Sequence, residues 1–427
     1  MKTTSLERRL PREGAKQEWL ASTACRAVQK GLEAIEEGHL RIVQDGRTRT
    51  FGRPGSDLDA EVHVLDERMW SATLLRGTVG VGEAWMRGWW ESPDVVKVVQ
   101  LFVRNFDVMQ AMEGGMAKLP LYAFRFAHWL RKNSQRVAEK NIAEHYDLSN
   151  DFFSLFLDDT MTYSSGIFET PKSTLEEASF AKLDRLCQKL DLKPGEHLLE
   201  IGTGWGALAV HAAKVYGCRV TTTTISNEQH DYAQRKIREA GLEDRVTLLL
   251  KDYRELEGQY DKAVSVEMIE AVGHHYFETY FEKVSSLLKP DGAFAMQAIV
   301  IADHRYEGAL KAVDFIQRYI FPGATIPSVT ALNAANAATT NMRMTHLEDI
   351  TPHYARTLEL WRDNLYTRRE RIRELGYSQD FFRMWEFYLA YCEGGFAERH
   401  IGCTQLVFSK PRNRVQPKLA PLCYSPR

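Results

Sequence analysis

The feature that most restricts the fold of this 427-residue chain is a short apolar run followed by closely spaced glycines. The run 198–201 leads directly into Gly202, Gly204 and Gly206, in the sequence LLEIGTGWG. Such a pattern predicts a buried strand, a glycine-rich turn and then a helix. Glycines at this kind of turn let the backbone approach a ligand at the carboxyl end of a parallel strand. The sequence therefore predicts an α/β sheet with a ligand crevice where this strand ends.

Acidic residues near the turn favour one class of cofactor. A nicotinamide-binding fold carries an acidic residue about 20 positions further on, at the end of the second strand. The segment 219–226 (RVTTTTIS) ends in hydroxyls instead, whereas Glu200 lies in the first strand and Asp252 follows the third. We expect Glu200 to point into the crevice. Carboxylates suit the sulfonium and ribose of S-adenosylmethionine, so the pattern favours this cofactor over a dinucleotide or a purely structural turn.

Strand and helix patterns alternate around the glycine run. A helix is predicted over Leu175–Leu190, and helices are predicted after the run at 207–216, 228–240 and 276–288. Strands are predicted at 218–225, 246–251, 260–266 and 293–301, with a turn at 289–292 that ends the last of these helices. Repeated units of this kind predict a doubly wound parallel sheet, which is a Rossmann-like α/β fold. The segment 302–343 interrupts the pattern, after which helices at 353–375 and 380–399 and a strand at 404–408 close the fold.

The first hundred residues have a different character. They predict a helix at 18–37, a solvated strand pair at 41–53, a strand that starts at 61 and an amphipathic helix at 94–106. Glycines and tryptophans crowd the stretch 74–90, which includes Trp85, Trp89 and Trp90. A nucleic-acid stacking surface is one interpretation. A buried packing corner is favoured, because no run of Lys and Arg interleaves the aromatic residues.

The segment 121–140 combines aromatic residues at helical spacing with a cluster of Arg and Lys. One interpretation is a membrane-surface helix, whose apolar side chains enter the headgroup boundary while its cations meet anionic lipid. The other is a helix between domains with one solvated face. The sequence leaves both interpretations open.

Composition excludes several classes of protein. Lys and Arg total 55 against 57 Asp and Glu, so no overall charge attracts the chain to nucleic acid. The six cysteines are scattered without metal-ligand spacing, which predicts free thiols in a reducing cytoplasm and no metal site. We find no signal-peptide pattern and no apolar run of about 18 residues that would span a bilayer. If its substrate is a lipid, the protein is expected to be cytoplasmic and to meet the membrane at its inner surface.

Three further clusters carry candidate chemistry: 144–165, 265–273, and Tyr354 together with 388–396. The second cluster, SVEMIEAVG, follows a predicted strand and therefore belongs at the ligand edge of the sheet. Its acids Glu267 and Glu270 are one helical turn apart. They either face one site or are simply acids at the start of a helix.

The motifs of this chain resemble those of the cyclopropane-fatty-acyl-phospholipid synthases and their mycolic-acid relatives. In order they are HYDLSNDFF, TYSSGIF, LEIGTGWG, TTTISNEQ, KDYREL, SVEMIEAVG, RYIFPG and FYLAYCEGGFAERHIGCTQLVFSK. The resemblance runs unbroken over 142–410 and is looser over 60–135. It implies a class I methyltransferase domain at 136–411, behind a smaller, mostly helical lipid-handling domain at 1–135. A flexible tail at 412–427 is expected, and the resemblance suggests a homodimer.

The resemblance also implies a reaction. The methyl group of S-adenosylmethionine passes to a cis double bond in an unsaturated phospholipid chain at the membrane surface, and the resulting carbocation loses a proton to a bound bicarbonate as a cyclopropane ring closes. The implied contacts with S-adenosylmethionine are Tyr163, Ser164, Gly202, Gly204, Thr224, Gln229, Asp252 and Tyr253.

The implied bicarbonate pocket departs from the family pattern at two positions. Glu270 and Tyr354 match, whereas Ser165 replaces a cysteine and Gln297 replaces a histidine. Both replacements keep hydrogen-bonding ability, but Gln297 is no proton acceptor. Since two adjacent anions would repel, we expect Glu270 to be protonated and to donate to the bicarbonate.

A cysteine of the family pattern and the identity of the product stay open. Cys392 matches the late family cysteine, either as a site thiol or, in the favoured interpretation, as a small buried hydrophobe. The altered pocket leaves alternatives to ring formation: a methyl- or methylene-branched chain, a methylated amine or other small molecule, or a lipid-binding protein without activity.

Overall fold

The computed structural model describes residues 13–106, 149–416 and 419–426, with side chains from Ala21 onward. The chain divides into two compact units. The described part of the first comprises 13–106 and Gln379–Phe387, and that of the second comprises 149–378 and the residues from Tyr388 onward. The segment 121–140, with its two interpretations, lies outside the described residues. No helix among those described is long and apolar enough to cross a membrane.

The first unit contains a small sheet with the strand order β2-β1-β3-β4. Its strands are β1 (His39–Gln44), β2 (Arg47–Gly52), β3 (Asp59–Val64) and β4 (Trp90–Glu91). Strand β1 is antiparallel to β2 and parallel to β3. The helices are Glu13–Leu32, Arg68–Met86 and Val95–Arg104. The predicted strand pair at 41–53 and the amphipathic helix at 94–106 are therefore confirmed.

The tryptophan-rich stretch of the first unit is a packing corner. Trp85 and Trp90 are 4% and 1% exposed, and their rings meet edge to face with centroids 4.9 Å apart. The indole of Trp90 donates to the carbonyl of Val81 at 3.0 Å. Buried rings of this kind cannot stack on nucleic-acid bases, so the favoured interpretation is confirmed for these two residues.

The second unit is built on a seven-stranded sheet with the order β10-β11-β9-β8-β5-β6-β7. Its strands are β5 (His197–Ile201), β6 (Arg219–Thr224), β7 (Val246–Leu250), β8 (Tyr260–Val266), β9 (Leu288–Ile301), β10 (Arg343–Asp349) and β11 (Ile401–Ser409). The strands β5 to β9 are parallel to one another. Strand β11 is antiparallel to both β9 and β10. The sheet is therefore mixed and mostly parallel.

Helices cover both faces of this sheet. The helices of the second unit are Asn150–Phe153, Leu175–Leu190, Ala207–Val215, Asn227–Glu239, Ile269–Val272, Phe277–Leu287, Asp303–Ala309, Phe315–Tyr319, Val329–Thr339, Thr351–Thr367, Arg369–Glu374 and, from Tyr388 onward, the helix Gln379–Ala397. Leu198 and Leu199 belong to different core clusters, because successive side chains of a strand point to opposite faces. The doubly wound arrangement is thus confirmed, and it places the ends of β5, β6 and β8 side by side.

Three predictions about local structure need correction. The turn expected at 289–292 lies inside strand β9, where the pairing with β8 shifts register between Tyr260 and Lys262. The interrupting segment 302–343 contains three helices, and strand β10 after it was missed. The single helix expected at 353–375 is two helices, Thr351–Thr367 and Arg369–Glu374. In the tail, the carbonyl of Ala420 accepts a hydrogen bond from Arg185 at 3.1 Å.

Candidate active site

The glycine turn lies at the carboxyl end of β5 and adopts a backbone that only glycine accepts easily. Gly202, Gly204 and Gly206 have φ angles of 89°, 54° and 90°. The amide of Gly202 donates to the carbonyl of Thr223 at 3.1 Å, which ties the turn to β6. A Cβ added at Gly204 would meet no atom within 4 Å. The turn therefore borders open space, as the approach of a ligand to the backbone requires.

Other predicted cofactor residues lie at the ends of neighbouring strands. Thr224 ends β6, and its hydroxyl donates to Gln229 at 2.9 Å. Asp252 follows β7 and accepts from the backbone and side chain of Arg254 at 2.9 and 2.8 Å, yet 27% of its side chain stays exposed. The ring of Tyr253 packs on that of Tyr280, 5.2 Å away. This edge of the sheet offers hydroxyl, carboxylate and aromatic groups beside the open turn, a set that fits a nucleoside cofactor.

Glu200 differs from its predicted orientation. Its carboxyl is 2% exposed and accepts a hydrogen bond from the hydroxyl of Thr222, its partner in the register between β5 and β6. Burial raises the pKa of Glu200 to about 7. The carboxyl lies inside the protein and not in open space, and the predicted contact of Glu200 with the cofactor stays a prediction.

Ser164 is held by a lysine that the sequence reasoning missed. Lys182 is 1% exposed, and its ammonium donates to the hydroxyl of Ser164 at 2.8 Å. Burial lowers the pKa of Lys182 to about 8, against the opposing effect of Glu267. A sequence signal existed, because Lys182 lies four positions from both Ala178 and Leu186 on the buried face of its helix.

Three of the five predicted catalytic residues converge on Glu267, which had been given no specific role. Its Oε1 accepts from the amide N–H of Ser165 at 3.0 Å and from the side-chain amide of Gln297 at 2.7 Å. Its Oε2 accepts from the hydroxyl of Tyr354 at 2.7 Å. The thiol of Cys403 lies 3.8 Å from Oε1. Burial raises the pKa of Glu267, while these hydrogen bonds oppose the rise.

The side chain of Glu267 is directed by an unusual backbone. Its φ angle is 48°, in the left-handed region that residues other than glycine rarely adopt. Its amide donates to the carbonyl of Gln297 at 2.8 Å, which fixes this conformation against the end of β9. Strained backbone of this type is concentrated at functional sites.

Glu270 has a different environment. Its Oε1 accepts from the amide of Ile299 at 2.6 Å, whereas its buried Oε2 has no hydrogen-bond partner in the described part of the chain. Burial, and secondarily the charge of Glu267, raise the pKa of Glu270 to about 8. A pKa of about 8 favours the protonated form of Glu270 at neutral pH, and its donation to a bicarbonate stays a prediction.

A chain of buried side chains fixes the polarity of the bond between Gln297 and Glu267. Lys189 donates to Glu348 at 2.7 Å and to the Oε1 of Gln405 at 2.6 Å. Gln405 in turn donates to the Oε1 of Gln297 at 2.9 Å. Because an ammonium only donates, each amide in the chain has one orientation, and Gln297 must present its N–H to Glu267.

The end of this hydrogen-bonded series that is farthest from Glu267 is held in place by charged groups. Burial alone would raise the pKa of Glu348, but the hydrogen bond from Arg185 and the charge of Lys189 lower it to about 2. Glu348 therefore stays ionised and holds Lys189 in place. Neither Lys189 nor Gln405 was predicted to belong to the site.

The motif TYSSGIF is held against the helix Thr351–Thr367. The hydroxyl of Thr357 accepts from the amide of Gly166 at 3.1 Å, and the Nδ1 of His353 accepts from the amide of Phe168 at 3.1 Å. Burial lowers the pKa of His353 to about 4, so the ring is neutral and its Nδ1 is free to accept. These bonds position the N–H of Ser165 for Glu267.

The predicted cysteine and the cysteine found at the site are different residues. Cys403, not among the predicted site residues, is the thiol that approaches Glu267. Cys392 is half-buried, and burial raises its pKa. A role for Cys392 stays a prediction.

Aromatic rings surround the remaining predicted residue, Tyr163. Its ring lies 5.2 Å from Trp361 and 5.3 Å from Phe153, and its hydroxyl is 2.9 Å from that of Tyr388. Tyr354 stacks on Phe396 with centroids 4.2 Å apart. Aromatic faces attract cations and also accept apolar chains, so this enclosure suits a positively charged reacting centre on a hydrocarbon.

Comparison with known proteins relates the chain to lipid-modifying enzymes. A family model described as mycolic acid cyclopropane synthetase matches residues 133–406. The tuberculostearic acid methyltransferase UfaA1 of Mycobacterium tuberculosis is 40% identical over 347 residues, 77% of this chain and 78% of that protein. The cyclopropane-fatty-acyl-phospholipid synthase of Escherichia coli is 35% identical over 375 residues, 88% of this chain and 94% of that protein.

Solved structures show the same relationship. The crystal structure of the mycolic acid cyclopropane synthase CmaA1 complexed with SAH and CTAB has a TM-score of 0.59 and 32% identity. The match covers 64% of this chain and 98% of that one. The cyclopropane synthase MmaA2 from Mycobacterium tuberculosis matches with the same score, identity and coverage.

Proposed function

Because this chain belongs to the mycolic acid cyclopropane synthetase family, we propose that it methylates a cis double bond in an unsaturated phospholipid chain, with a cyclopropane ring as the product. The family membership confirms the broader predictions. The protein has the class I methyltransferase fold and is an S-adenosylmethionine-dependent methyltransferase that acts on lipids. The double bond, the phospholipid and the ring are the parts of the proposal that go further.

The observation that carries the proposal is a hydrogen-bonded carboxylate, Glu267, in the same unit as an enclosure of aromatic rings. Bound S-adenosylmethionine would supply an electrophilic methyl group, whose addition to an alkene leaves a carbocation on the acyl chain. The faces of Tyr163 and Trp361 stabilise positive charge, and the rings exclude water that would quench it. A carboxylate is the group that such a site needs to attract the cation and receive its proton.

The residues at the carboxyl edge of the sheet are proposed to hold the methyl donor. The turn formed by Gly202, Gly204 and Gly206, which borders open space at Gly204, would let the methyl donor approach the backbone. Thr224, Gln229, Asp252 and Tyr253 offer groups for its nucleoside. Tyr163 and Ser164 would complete the contacts, with Lys182 orienting Ser164.

The phospholipid and the place of reaction follow from the relatives. The Escherichia coli relative is named for a phospholipid product, and this chain matches 94% of its length. We therefore propose that the protein works in the cytoplasm at the inner membrane surface, where such lipids are accessible. The homodimer suggested by the resemblance stays a prediction.

A branched chain is a second candidate product, which Gln297 and one relative favour. Gln297 replaces the histidine of the family pattern, and the relative that is 40% identical is named for tuberculostearic acid. If a hydride moves to the first cationic carbon, loss of a methyl proton leaves a methylene branch instead of a ring. Both products add one CH2 to the chain.

Lipid analysis of an expressing host tests the proposal. We expect mass spectrometry to show a gain of one CH2 on monounsaturated phospholipid chains, in a host without a cyclopropane synthase of its own. NMR of the purified lipid then separates ring protons from those of a methylene branch. Unchanged lipids together with methylated small amines would contradict the proposal.

A further inference from the structure

We propose that Glu267 accepts the proton that the methylated acyl chain loses, in the place that a bound bicarbonate would otherwise fill. The inference rests on the proposed function and deepens it. In the step, a C–H bond of the transferred methyl group breaks, and its electron pair forms the bond to the cationic carbon. The proton goes to Glu267, which returns it to water after the product leaves, so no oxidant or reductant is needed.

Three of the four residues expected to donate to an external oxyanion already donate to Glu267, and Glu270 is the exception. Ser165 gives its backbone N–H at 3.0 Å, Gln297 its amide at 2.7 Å and Tyr354 its hydroxyl at 2.7 Å. The hydroxyl of Ser165 donates elsewhere, to the carbonyl of Gly166 at 3.1 Å. A bicarbonate at this position would have to displace a covalently attached carboxylate from all three donors. The side chain of Glu267 therefore takes the position of the ion.

The hydrogen bonds also select the atom that receives the proton. Oε1 accepts from both Ser165 and Gln297, whereas Oε2 accepts from Tyr354. A carboxylate oxygen has two lone-pair sites, so Oε2 keeps capacity for a proton while Oε1 is filled. The polar chain that begins at Glu348 and Lys189 prevents Gln297 from turning its carbonyl towards Glu267.

The two neighbouring carboxyls divide the roles of base and acid. Glu267 receives three hydrogen bonds to its charged form and lies near the ammonium of Lys182. Glu270 receives one, from Ile299, and leaves its other oxygen without a described partner. The hydrogen bonds to Glu267 favour its charged form, whereas burial with a single hydrogen bond favours the neutral form of Glu270, so the geometry favours Glu267 as the base.

The backbone at Glu267 permits an unusually clean test. Its φ of 48° suits glycine, so Glu267→Gly removes the carboxylate without new backbone strain and opens a space lined by the three freed donors. Asp191→Gly is the matched control. Asp191 is also acidic, has a φ of 49°, and lies at the end of the helix Leu175–Leu190, away from the residues assigned to the site.

The experiment follows release of S-adenosylhomocysteine from the full-length protein with S-adenosylmethionine and vesicles of dioleoyl phosphatidylglycerol. In buffer freed of bicarbonate, the native protein should keep its rate within about twofold, and Glu267→Gly should lose about a hundredfold or more. Bicarbonate or formate should then restore the variant by about tenfold or more, because either anion can occupy the freed donors. Asp191→Gly should behave as the native protein throughout.

A second readout needs no turnover. Calorimetry should show that Glu267→Gly binds bicarbonate, whereas the native protein does not, and that both bind S-adenosylmethionine with similar affinity. If Glu267→Gly does not fold, Glu267→Gln serves for the rate measurement, and its loss of turnover with intact cofactor binding supports the same conclusion.

Three outcomes would overturn the inference: a native enzyme that needs added bicarbonate, a glycine variant that stays active without any anion, or a folded glycine variant that no anion restores. Failure of the proposed function looks different. In that case the native protein releases no S-adenosylhomocysteine with these vesicles even when bicarbonate is present, while the calorimetric comparison still reports on Glu267.

Discussion

The glycine turn and the pair Glu267 and Glu270 are built by different means. The turn uses the backbone: three glycines in left-handed conformations and amides tied to the neighbouring strand. The carboxyl pair depends on groups from four distant segments of the chain: the backbone N–H groups of Ser165 and Ile299 and the side chains of Gln297, Tyr354 and Cys403. We propose a division of roles from this difference, in which the turn sets affinity for the methyl donor and the carboxyl pair sets the rate of proton removal.

The largest effect that would test this division is expected at Glu270. Glu270→Ala removes a neutral acid and leaves the buried N–H of Ile299 without its acceptor, so turnover should fall about a hundredfold. Glu270→Gln keeps the acceptor and the neutral charge, and its loss should stay below about tenfold. Rates and calorimetric affinities measured on both variants provide the check. Weakened binding of S-adenosylmethionine in Glu270→Ala would break the proposed division.

A smaller effect, on affinity for S-adenosylmethionine instead of turnover, is expected at Gly204. Its added Cβ would occupy the open space beside the turn, and its φ of 54° disfavours any side chain, so affinity for S-adenosylmethionine should fall about tenfold. Gly241→Ala is the matched control, since Gly241 has a φ of 65° and equally open surroundings. Both variants should lose about 1 kcal/mol of stability, but only Gly204→Ala should lose affinity in calorimetry. Equal affinities would remove the turn from the binding site.

The ionisation of Glu270 predicts a dependence of stability on pH. Its pKa rises from an ordinary value of 4.5 to about 8 on folding. Between these values the folded protein holds a proton that the unfolded chain has released, so the free energy of unfolding falls as pH rises through this window. Glu270→Gln removes this contribution. Its stability relative to the native protein should therefore increase by about 4 kcal/mol between about pH 5 and about pH 9.

Urea unfolding at each pH measures this difference. The exposed Glu278 supplies the control, and Glu278→Gln should keep a constant difference from the native protein across the same range. A constant difference for Glu270→Gln as well would show that Glu270 is ionised in the folded protein, and the proposed roles of acid and base would have to be reassigned.

The elements around the turn were predictable because their signals are local. The helix Leu175–Leu190 and the strand Tyr260–Val266 have the predicted bounds, since the first begins with the capping box of Thr174 and Glu177 and the second is a continuous buried run. Strand β10 was missed because alternate residues of this edge strand are exposed. Its alternation was a weak signal beside the stronger helices on either side.

The centre of the site was harder to predict, and the reason is physical. Within SVEMIEAVG, Glu267 looks like an acid that begins a helix, and nothing local indicates its left-handed backbone. Its role comes from donors that are 102, 30 and 87 positions away in the chain. The resemblance identified those donors, Ser165, Gln297 and Tyr354, but assigned them to an external ion. Only the folded chain shows that a carboxylate of the protein itself receives them.

The smallest expected effect tests whether the buried series of hydrogen-bonded side chains from Glu348 to Gln297 influences the pKa of Glu267. Gln405→Leu removes the donor that fixes the amide of Gln297, so Gln297 is free to turn and Glu267 loses part of its stabilisation as an anion. A weaker hydrogen bond to the charged form raises the pKa of Glu267. Since the proposed base must be ionised, the acid limb of the profile of kcat against pH should move to higher pH, and turnover at neutral pH should fall about threefold to tenfold.

Affinity for S-adenosylmethionine should stay unchanged in Gln405→Leu, because Gln405 is not among the residues of the turn. Gln259→Leu is the control, since Gln259 is exposed and donates only to backbone carbonyls, at Gly258 and Ser286, in its described hydrogen bonds. A fall in turnover without a shift of the acid limb would mean that Gln405 acts through packing alone. If the acid limb moves in Gln405→Leu but not in Gln259→Leu, Lys189 and Glu348 influence the ionisation of Glu267 through the amides of Gln405 and Gln297.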